Sequence, residues 1–313
     1  MKYGFGVDLG GTTVKLAYFD TEGQLLHKWE IPTRSGDGGK QILPDIADAI
    51  NDFLTRNQIP NSDIIGIGIG VPGPVSSTGV VNKCVNLGWG VFNIEEALQN
   101  MTGFPVKAGN DANVAALGEC WMGGGKGYKN MIMTTLGTGV GGGIIIGGKI
   151  LCGRHGAAGE IGHMVLNKDE SARCGCGKYG CVEQYCSATG IVRIGKRTLN
   201  RDKRTSSLRQ VENLTCKDIF DASAAGDEVA QAILEEVYDK LAQFMADLTN
   251  CLDPDIIVIG GGVSKAGTVL IEGIRRHLPK YVFHASADVE FAMASLGNDA
   301  GAYGAFKLVL DER

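Results

Sequence analysis

Three short runs of glycine, each set at the end of an apolar, β-branched segment, constrain this chain more than any other feature. Asp8-Leu9-Gly10-Gly11-Thr12-Thr13 lies between two strand-like runs, Phe5 to Leu9 and Val14 to Phe19. Leu136-Gly137-Thr138-Gly139-Val140-Gly141-Gly142-Gly143 repeats the arrangement between Met131 to Leu136 and Gly143 to Ile146. Ile259-Gly260-Gly261-Gly262-Val263-Ser264 closes a further run, Ile256 to Ile259, and leads towards a helix. Without a Cβ, glycine lets backbone N–H groups approach an anion closely, and neighbouring hydroxyls add donors. Two such hairpin turns, one opened by the carboxylate of Asp8, suit two sides of a triphosphate with a magnesium ion near the acid. The third suits a nucleotide at the carboxyl end of a strand, and it follows neither the Walker nor the GxGxxG spacing.

The demand for such turns is visible in the composition. The chain has 47 glycines among 313 residues, roughly twice ordinary usage and without the every-third period of collagen. Apolar residues make up 44% and charged residues 21%, which excludes a disordered or fibrous class. At this length a sizeable core forms without staples, and two lobes or one large α/β unit are expected. A net charge of −5 offers no long-range attraction for nucleic acid or an anionic membrane, so a small-molecule partner is favoured. The first residues run straight into a strand without the pattern of a secretory signal, and no apolar run is long enough to span a membrane, so the expected location is the cytoplasm. Nine cysteines in a reducing compartment argue against a disulfide framework and leave metal ligation open.

Helical spacing appears at Ile42 to Leu54, Ile94 to Met101, Ala112 to Trp121 and, at greatest length, from Val229 to Leu252. Strand-like runs also occur at Leu25 to Ile31, Ile64 to Val71 and Pro105 to Ala108. The class is α/β, beginning with a meander and continuing in βα units. A composition shift near Gly109 to Asn113 marks a lobe boundary, and no short-period repeat is present. Seven Lys or Arg residues between Arg193 and Arg209 read as a solvated helix end and loop rather than an anion patch.

The three turns together resemble the two phosphate motifs and the adenosine motif of the actin-like sugar kinases. Gly159-Glu160-Ile161-Gly162-His163 and Cys174-Gly175-Cys176-Gly177-Lys178-Tyr179-Gly180-Cys181-Val182-Glu183 narrow the resemblance to the glucokinase-like members of the ROK family, across nearly the whole chain. That resemblance implies a two-lobed, actin-like (ribonuclease H-like) ATPase fold of the ROK type with a zinc-binding loop. Residues 1–111, with a C-terminal helix at about 298–313, would form the small lobe. Residues 112–297 would form the large lobe carrying the zinc loop and adenosine motif, with ATP and sugar in the cleft between the lobes. Asp8, Gly10, Gly11, Thr12, Thr13, Lys15, Gly137, Thr138, Gly139, Gly261 and Gly262 would bind ATP and its Mg2+.

Phosphoryl transfer to an alcohol needs a carboxylate that accepts the proton while donors hold the phosphates. Asp111, between a short strand and a helix, matches the family's catalytic aspartate, although a helix N-cap is the bland alternative for it. Resemblance assigns Asn110, Asp111, Glu160, His163 and Glu183 to the hexose, and adds Gly73 and Asn86 from the Val71 to Pro74 and Val85 to Trp89 loops. Taken alone, Glu160 and Glu183 read as ordinary surface acids.

Glycines at 175, 177 and 180 let the thiolates of Cys174, Cys176 and Cys181 converge on one ion. His163 completes a Cys₃His set suited to structural Zn2+, and the resemblance gives the same four ligands, with the other imidazole nitrogen facing the sugar. Cys186 reads as core, and Cys84, Cys120, Cys152, Cys216 and Cys251 as buried thiols without chemistry. Zinc loss is expected to damage sugar binding first and nucleotide binding less, because the glycine turns are remote in sequence from this loop.

The expected activity is ATP-dependent phosphorylation of glucose to glucose 6-phosphate, by a homodimer or homotetramer with no nucleic-acid or membrane partner. Kinases for fructose, mannose or N-acetylmannosamine would carry the same residues. A sugar-sensing ROK repressor would place a helix-turn-helix ahead of the first motif, where only seven residues precede Asp8. An actin-like or heat-shock ATPase would lack the zinc loop.

Overall fold

The computed structural model describes residues 1–312. Strands β1 (Tyr3–Leu9), β2 (Thr13–Asp20) and β3 (Leu25–Pro32) form an antiparallel meander, and the β1/β2 register sets Asp8 opposite Lys15. Helix α1 (Ile42–Arg56) buries Ile42, Ile46, Ile50 and Leu54, the stripe that its three- and four-residue spacing predicts. Strand β4 (Ile64–Val71) then joins β1 in parallel. A hairpin of β5 (Val80–Cys84) and β6 (Trp89–Asn93) follows. Both strands are too short and too exposed for their alternation to stand out in the sequence. Asn93 caps α2 (Ile94–Thr102) by accepting from Glu96 N–H. Strand β7 (Val106–Asn110) pairs in parallel with β4 and runs directly into α3 (Asp111–Met122). The sheet order is β3-β2-β1-β4-β7.

The second series opens with β8 (Met131–Leu136), β9 (Val140–Ile146) and β10 (Lys149–Ile150). Strand β9 starts three residues before the Gly143 expected from the sequence, so Gly141 to Gly143 belong to a strand and the turn itself is only Gly137 to Gly139. Those glycines are needed for close packing: a Cβ on Gly142 would sit 2.2 Å from the Ile161 side chain, and one on Gly143 2.5 Å from Ala116. Beyond the cysteine loop come α4 (Glu183–Cys186), α5 (Ala188–Arg201), α6 (Cys216–Ala224) and the 25-residue α7 (Glu228–Leu252). Strand β11 (Ile256–Gly260), α8 (Thr268–His277), β12 (Glu290–Met293) and α9 (Ala300–Leu310) complete the order. This sheet runs β10-β9-β8-β11-β12, with β8, β11 and β12 mutually parallel.

The chain divides into two compact units, one of Met1–Lys129, Gly143–Gly159 and the segment from Ser295, the other of Asn130–Gly142 and Glu160–Ala294. The expected boundary at residue 111 assigned α3 to the later lobe, whereas α3 packs within the first unit. The reason is backbone proximity: a Cβ on Gly118 would lie 2.2 Å from Ala300 O, and one on Gly304 1.7 Å from Val114 O. The C-terminal helix expected at 298–313 is α9, and Arg313 lies outside the described residues.

Glu119 is fully buried in the first unit. Its Oε2 accepts from Gly124 N–H at 2.8 Å and Ser295 N–H at 3.0 Å, and its Oε1 from Leu296 N–H at 2.8 Å.

The basic stretch is largely spent on structure. Arg193 and Arg197 pair with Glu170, Arg204 with Asp202, and Arg209 donates to the carbonyls of Leu199, Asp202 and Arg204. Cys251, expected to be buried, is exposed near the end of α7, while Cys152 and Cys216 are half-buried.

Candidate functional site

In the first unit the Asp8 turn is braced by Thr33, just past the end of β3. Gly10 N–H donates to Thr13 O at 3.0 Å, Thr33 N–H to Thr12 O at 2.9 Å, and Thr33 Oγ1 to Gly10 O at 2.7 Å. Gly11 and Thr12 are exposed at the tip, and a Cβ on Gly11 would meet nothing within 4 Å, so the backbone there is open to an incoming anion. Lys15 Nζ lies 3.5 Å from Asp8 Oδ2 and 3.3 Å from Asn298 O. Burial pushes the Asp8 carboxyl above the usual carboxylate range, and Lys15 pulls it back.

Asn110, not Asp111, caps α3: its Oδ1 accepts from Ala112 N–H at 3.1 Å and Asn113 N–H at 3.2 Å. Its Nδ2 donates to Asp111 Oδ1 at 2.9 Å and to Gly73 O at 3.2 Å. Asp111 Oδ1 also accepts from Ala112 N–H at 2.8 Å. Both of these bonds end on Oδ1, so the carboxylate is oriented through one oxygen and presents the other. Burial raises the Asp111 pKa, the charge of Asp8 adds to the rise, and the bonds from Ala112 and Asn110 oppose it. A carboxylate raised in this way is the better proton acceptor.

The Gly73 loop is held from its far side by Cys84, whose thiol donates to Pro72 O at 2.8 Å. Asn86 stands exposed on a short 3₁₀ turn, Val85–Leu87, and the loop is anchored by Trp89 Nε1 donating to Gly39 O at 3.1 Å.

In the second unit Gly137, Gly139, Val140, Glu183 and Gly261 are among the residues around one concavity of about 390 Å³. Gly261 must be glycine, with φ of +83° and a Cβ position 2.5 Å from Leu136 O. Gly262 borders a second hollow of about 410 Å³, walled by Thr215, Lys217 and Phe220 of the α6 region and by Ala188. That wall escaped the sequence reading because its residues belong to an ordinary amphipathic helix with no motif. Thr138 is exposed at the tip of its turn, and Glu160 is exposed just before the 3₁₀ turn Ile161–His163.

His163, Cys174, Cys176 and Cys181 bring their ligand atoms within 4.8 Å of one another. Cys176 Sγ is 3.6 Å from Cys181 Sγ, and His163 Nδ1 is 3.8 Å from Cys174 Sγ. Tetrahedral zinc–sulfur bonds of about 2.3 Å require ligand separations of about 3.8 Å, so the donors fit Zn2+ in spacing and in kind. Burial and the adjacent thiols push Cys181 up to about 12, a cost that a bound cation would remove. The loop is shaped by Gly180, at φ +69° with its Cβ position 1.7 Å from Asn167 O.

A family model described as "ROK family" matches residues 4–312. The chain belongs to the ROK family. A ROK relative, the glucokinase of Halalkalibacterium halodurans, is 46% identical over 309 residues, covering 97% of this chain and 94% of its own length. The glucokinase of Thermotoga maritima is 34% identical, with coverage of 97% and 96%. The crystal structure of a ROK family glucokinase from Streptomyces griseus in complex with glucose and AMPPNP superposes with a TM-score of 0.71 at 33% identity, covering 98% of each chain.

Proposed function

We propose that this ROK protein is an ATP-dependent glucokinase, converting glucose to glucose 6-phosphate with release of ADP. The observation that carries the chemistry is the Asp111 carboxylate, raised in pKa by burial and oriented through Oδ1 by Asn110 and Ala112 N–H. The choice of glucose is supported by the glucokinase relatives.

Asp111 accepts the proton of the glucose 6-hydroxyl as that oxygen bonds to the γ-phosphorus, and the bond from the γ-phosphorus to the β,γ-bridging oxygen breaks. In the first unit Gly10, Gly11, Thr12 and Thr13 face phosphate, with Lys15 steadying Asp8. Asp8 would hold a Mg2+ ion, whose chemistry when bound would be to neutralise phosphate charge. Gly73, Asn86 and Asn110 serve the sugar. In the second unit the turn of Gly137, Thr138 and Gly139 meets phosphate with Thr138 and Gly139 as donors and Gly137 N–H held on Gly139 O, and Gly261 and Gly262 border the nucleoside side. Glu160, His163 and Glu183 supply groups that both orient and discriminate hydroxyls. Cys174, Cys176, Cys181 and His163 Nδ1 would hold a structural Zn2+, and His163, its ring oriented by that bond, would offer Nε2 to a hydroxyl. The working form is a cytoplasmic homodimer or homotetramer.

The test is an ATP-coupled assay over glucose, fructose, mannose and N-acetylmannosamine. Glucose should show the highest kcat/KM, because a site that hydrogen-bonds particular hydroxyls rejects analogues that leave those groups unpaired. A better N-acetylmannosamine or fructose rate would overturn the glucose assignment and leave the kinase assignment standing.

A further inference from the structure

Within the turn at Gly137 to Val140, Gly137 N–H donates to Gly139 O at 2.9 Å. Three further hydrogen bonds reach it from the segment between Glu183 and Thr189. Glu183 Oε2 accepts from Val140 N–H at 3.1 Å. Ala188 N–H donates to Gly137 O at 2.8 Å, and Thr189 Oγ1 to Thr138 O at 2.8 Å. A side chain on Gly139 is excluded by the same carboxylate, since its Cβ would come 2.3 Å from Glu183 Oε2. The turn is therefore shaped from outside as well as from within.

The other end of that segment is tied to the cysteine cluster. Glu183 begins two residues after Cys181, and its Oε1 accepts from the Cys174 thiol at 3.7 Å. Gln184 Oε1 accepts from Cys181 N–H at 3.1 Å, and its Nε2 donates to Ala172 O at 2.9 Å, so it spans the base of the loop. Ser187 stiffens the middle: its Oγ donates to Glu183 O at 2.6 Å and accepts from Gly190 N–H at 2.9 Å. One short, fully hydrogen-bonded strap thus runs from the thiols to the glycine turn.

We propose that Glu183 is a positioning residue for the phosphate turn, and that through it nucleotide affinity depends on occupancy of the Cys₃His site. The inference rests on reading Gly137 to Val140 as a phosphate-binding turn. It reverses the expectation drawn from sequence distance, in which metal loss spares the nucleotide. Glu183 lies more than forty positions from Val140 in the chain, yet the two share a hydrogen bond. When a cation takes the thiolates, Cys174 no longer donates to Oε1, so the metal acts on Glu183 through the chain two residues on from Cys181 and through Gln184, while Oε1 becomes free for a sugar hydroxyl and Oε2 stays on the turn.

The experiment is calorimetric titration of Mg-ADP, without sugar, into the full-length protein in zinc-loaded and chelator-stripped forms, with zinc measured by elemental analysis and folding by circular dichroism. Losing the turn's external support should weaken Mg-ADP by about tenfold, the scale of a net hydrogen bond or two. Glu183→Ala, with its zinc retained, should show a similar loss, and stripping zinc from it should add little. Glu183→Gln should keep near wild-type Mg-ADP affinity, because the amide oxygen can still accept from Val140 N–H. Thr189→Val, which touches neither the metal ligands nor the carboxylate, should lose a few-fold. Should the stripped protein unfold, the Glu183→Ala and Thr189→Val measurements decide alone. Mg-ADP affinity within twofold of wild type in zinc-replete Glu183→Ala, or in stripped but folded wild type, overturns the coupling. Failure of loaded wild type to bind Mg-ADP overturns the phosphate-turn reading and the coupling with it.

Discussion

Replacing Asp111 by Asn separates proton acceptance from everything else the side chain does. Both hydrogen bonds from Asn110 Nδ2 and Ala112 N–H end on Oδ1, and the amide oxygen of Asn can keep both. The amide nitrogen then takes the place of Oδ2, and a group that accepted a proton becomes one that only donates. Turnover should fall by roughly 10²- to 10⁴-fold, a rise in barrier of about 3–5 kcal/mol. Glucose affinity should weaken only modestly. Stability should move the other way. Burial raises the folded-state pKa of Asp111 above its unfolded value, so the stability linked to this group is full below the unfolded pKa and is lost as pH rises through the folded one. At pH 7 the ionised carboxylate is thus a net cost, and the neutral variant should melt at the same temperature as wild type or higher. The assays are single-turnover ADP release at saturating glucose and ATP, and thermal unfolding at pH 7. A variant with more than about a tenth of wild-type kcat, where chemistry limits the rate, would refute Asp111 as the base. A lower melting temperature would refute the burial argument.

The same raised pKa predicts that the acid limb of the kcat profile lies above the ordinary aspartate value of about 4, with activity lost as pH falls through it; a limb at or below that value in a pH–rate series contradicts the environment assigned to Asp111. Glu119→Ala leaves the N–H groups of Gly124, Ser295 and Leu296 without their acceptor, at roughly 1–3 kcal/mol each. Glu119→Gln keeps one oxygen and should cost about half as much, and urea unfolding that finds either variant within about 0.5 kcal/mol of wild type removes Glu119 as a structural anchor.

What the sequence made legible is what depends on neighbours along the chain. Apolar spacing located α1, α3 and α7, and the glycine turns located the ends of β1, β8 and β11, because period and turn chemistry are local. The cysteine loop was legible for the same reason, with four candidate ligands inside nineteen residues of chain. Glu119 was not. A glutamate at helical spacing reads as a surface acid until one nearby and two distant backbone donors surround it. Glu183 was noticed only through family likeness, and its bond to Val140 N–H was hidden by sequence separation. Asn110 was assigned to the sugar, and its work as the cap of α3 appears only once the helix start is located to the residue.

Helix α9 bears on how the protein is made. It lies against the first sheet with almost nothing between the backbones: a Cβ on Gly6 would sit 2.0 Å from Ala302 O, and one on Gly68 1.6 Å from Ala305 O. Gly301 passes so near the Asp8 carboxylate that a Cβ there would be 2.7 Å from its Cγ. The strands that carry Asp8 are synthesised well before the surface they pack against, with Asn130–Gly142 and Glu160–Ala294 of the second unit between them. During translation the opening meander must wait with its apolar face uncovered while the whole of the second unit emerges and folds. A nascent chain therefore has no finished Asp8 environment until α9 arrives, and a chain that stops short of α9 leaves that face of the sheet bare. The small residues of α9 thus shape the surroundings of Asp8 from far along the chain.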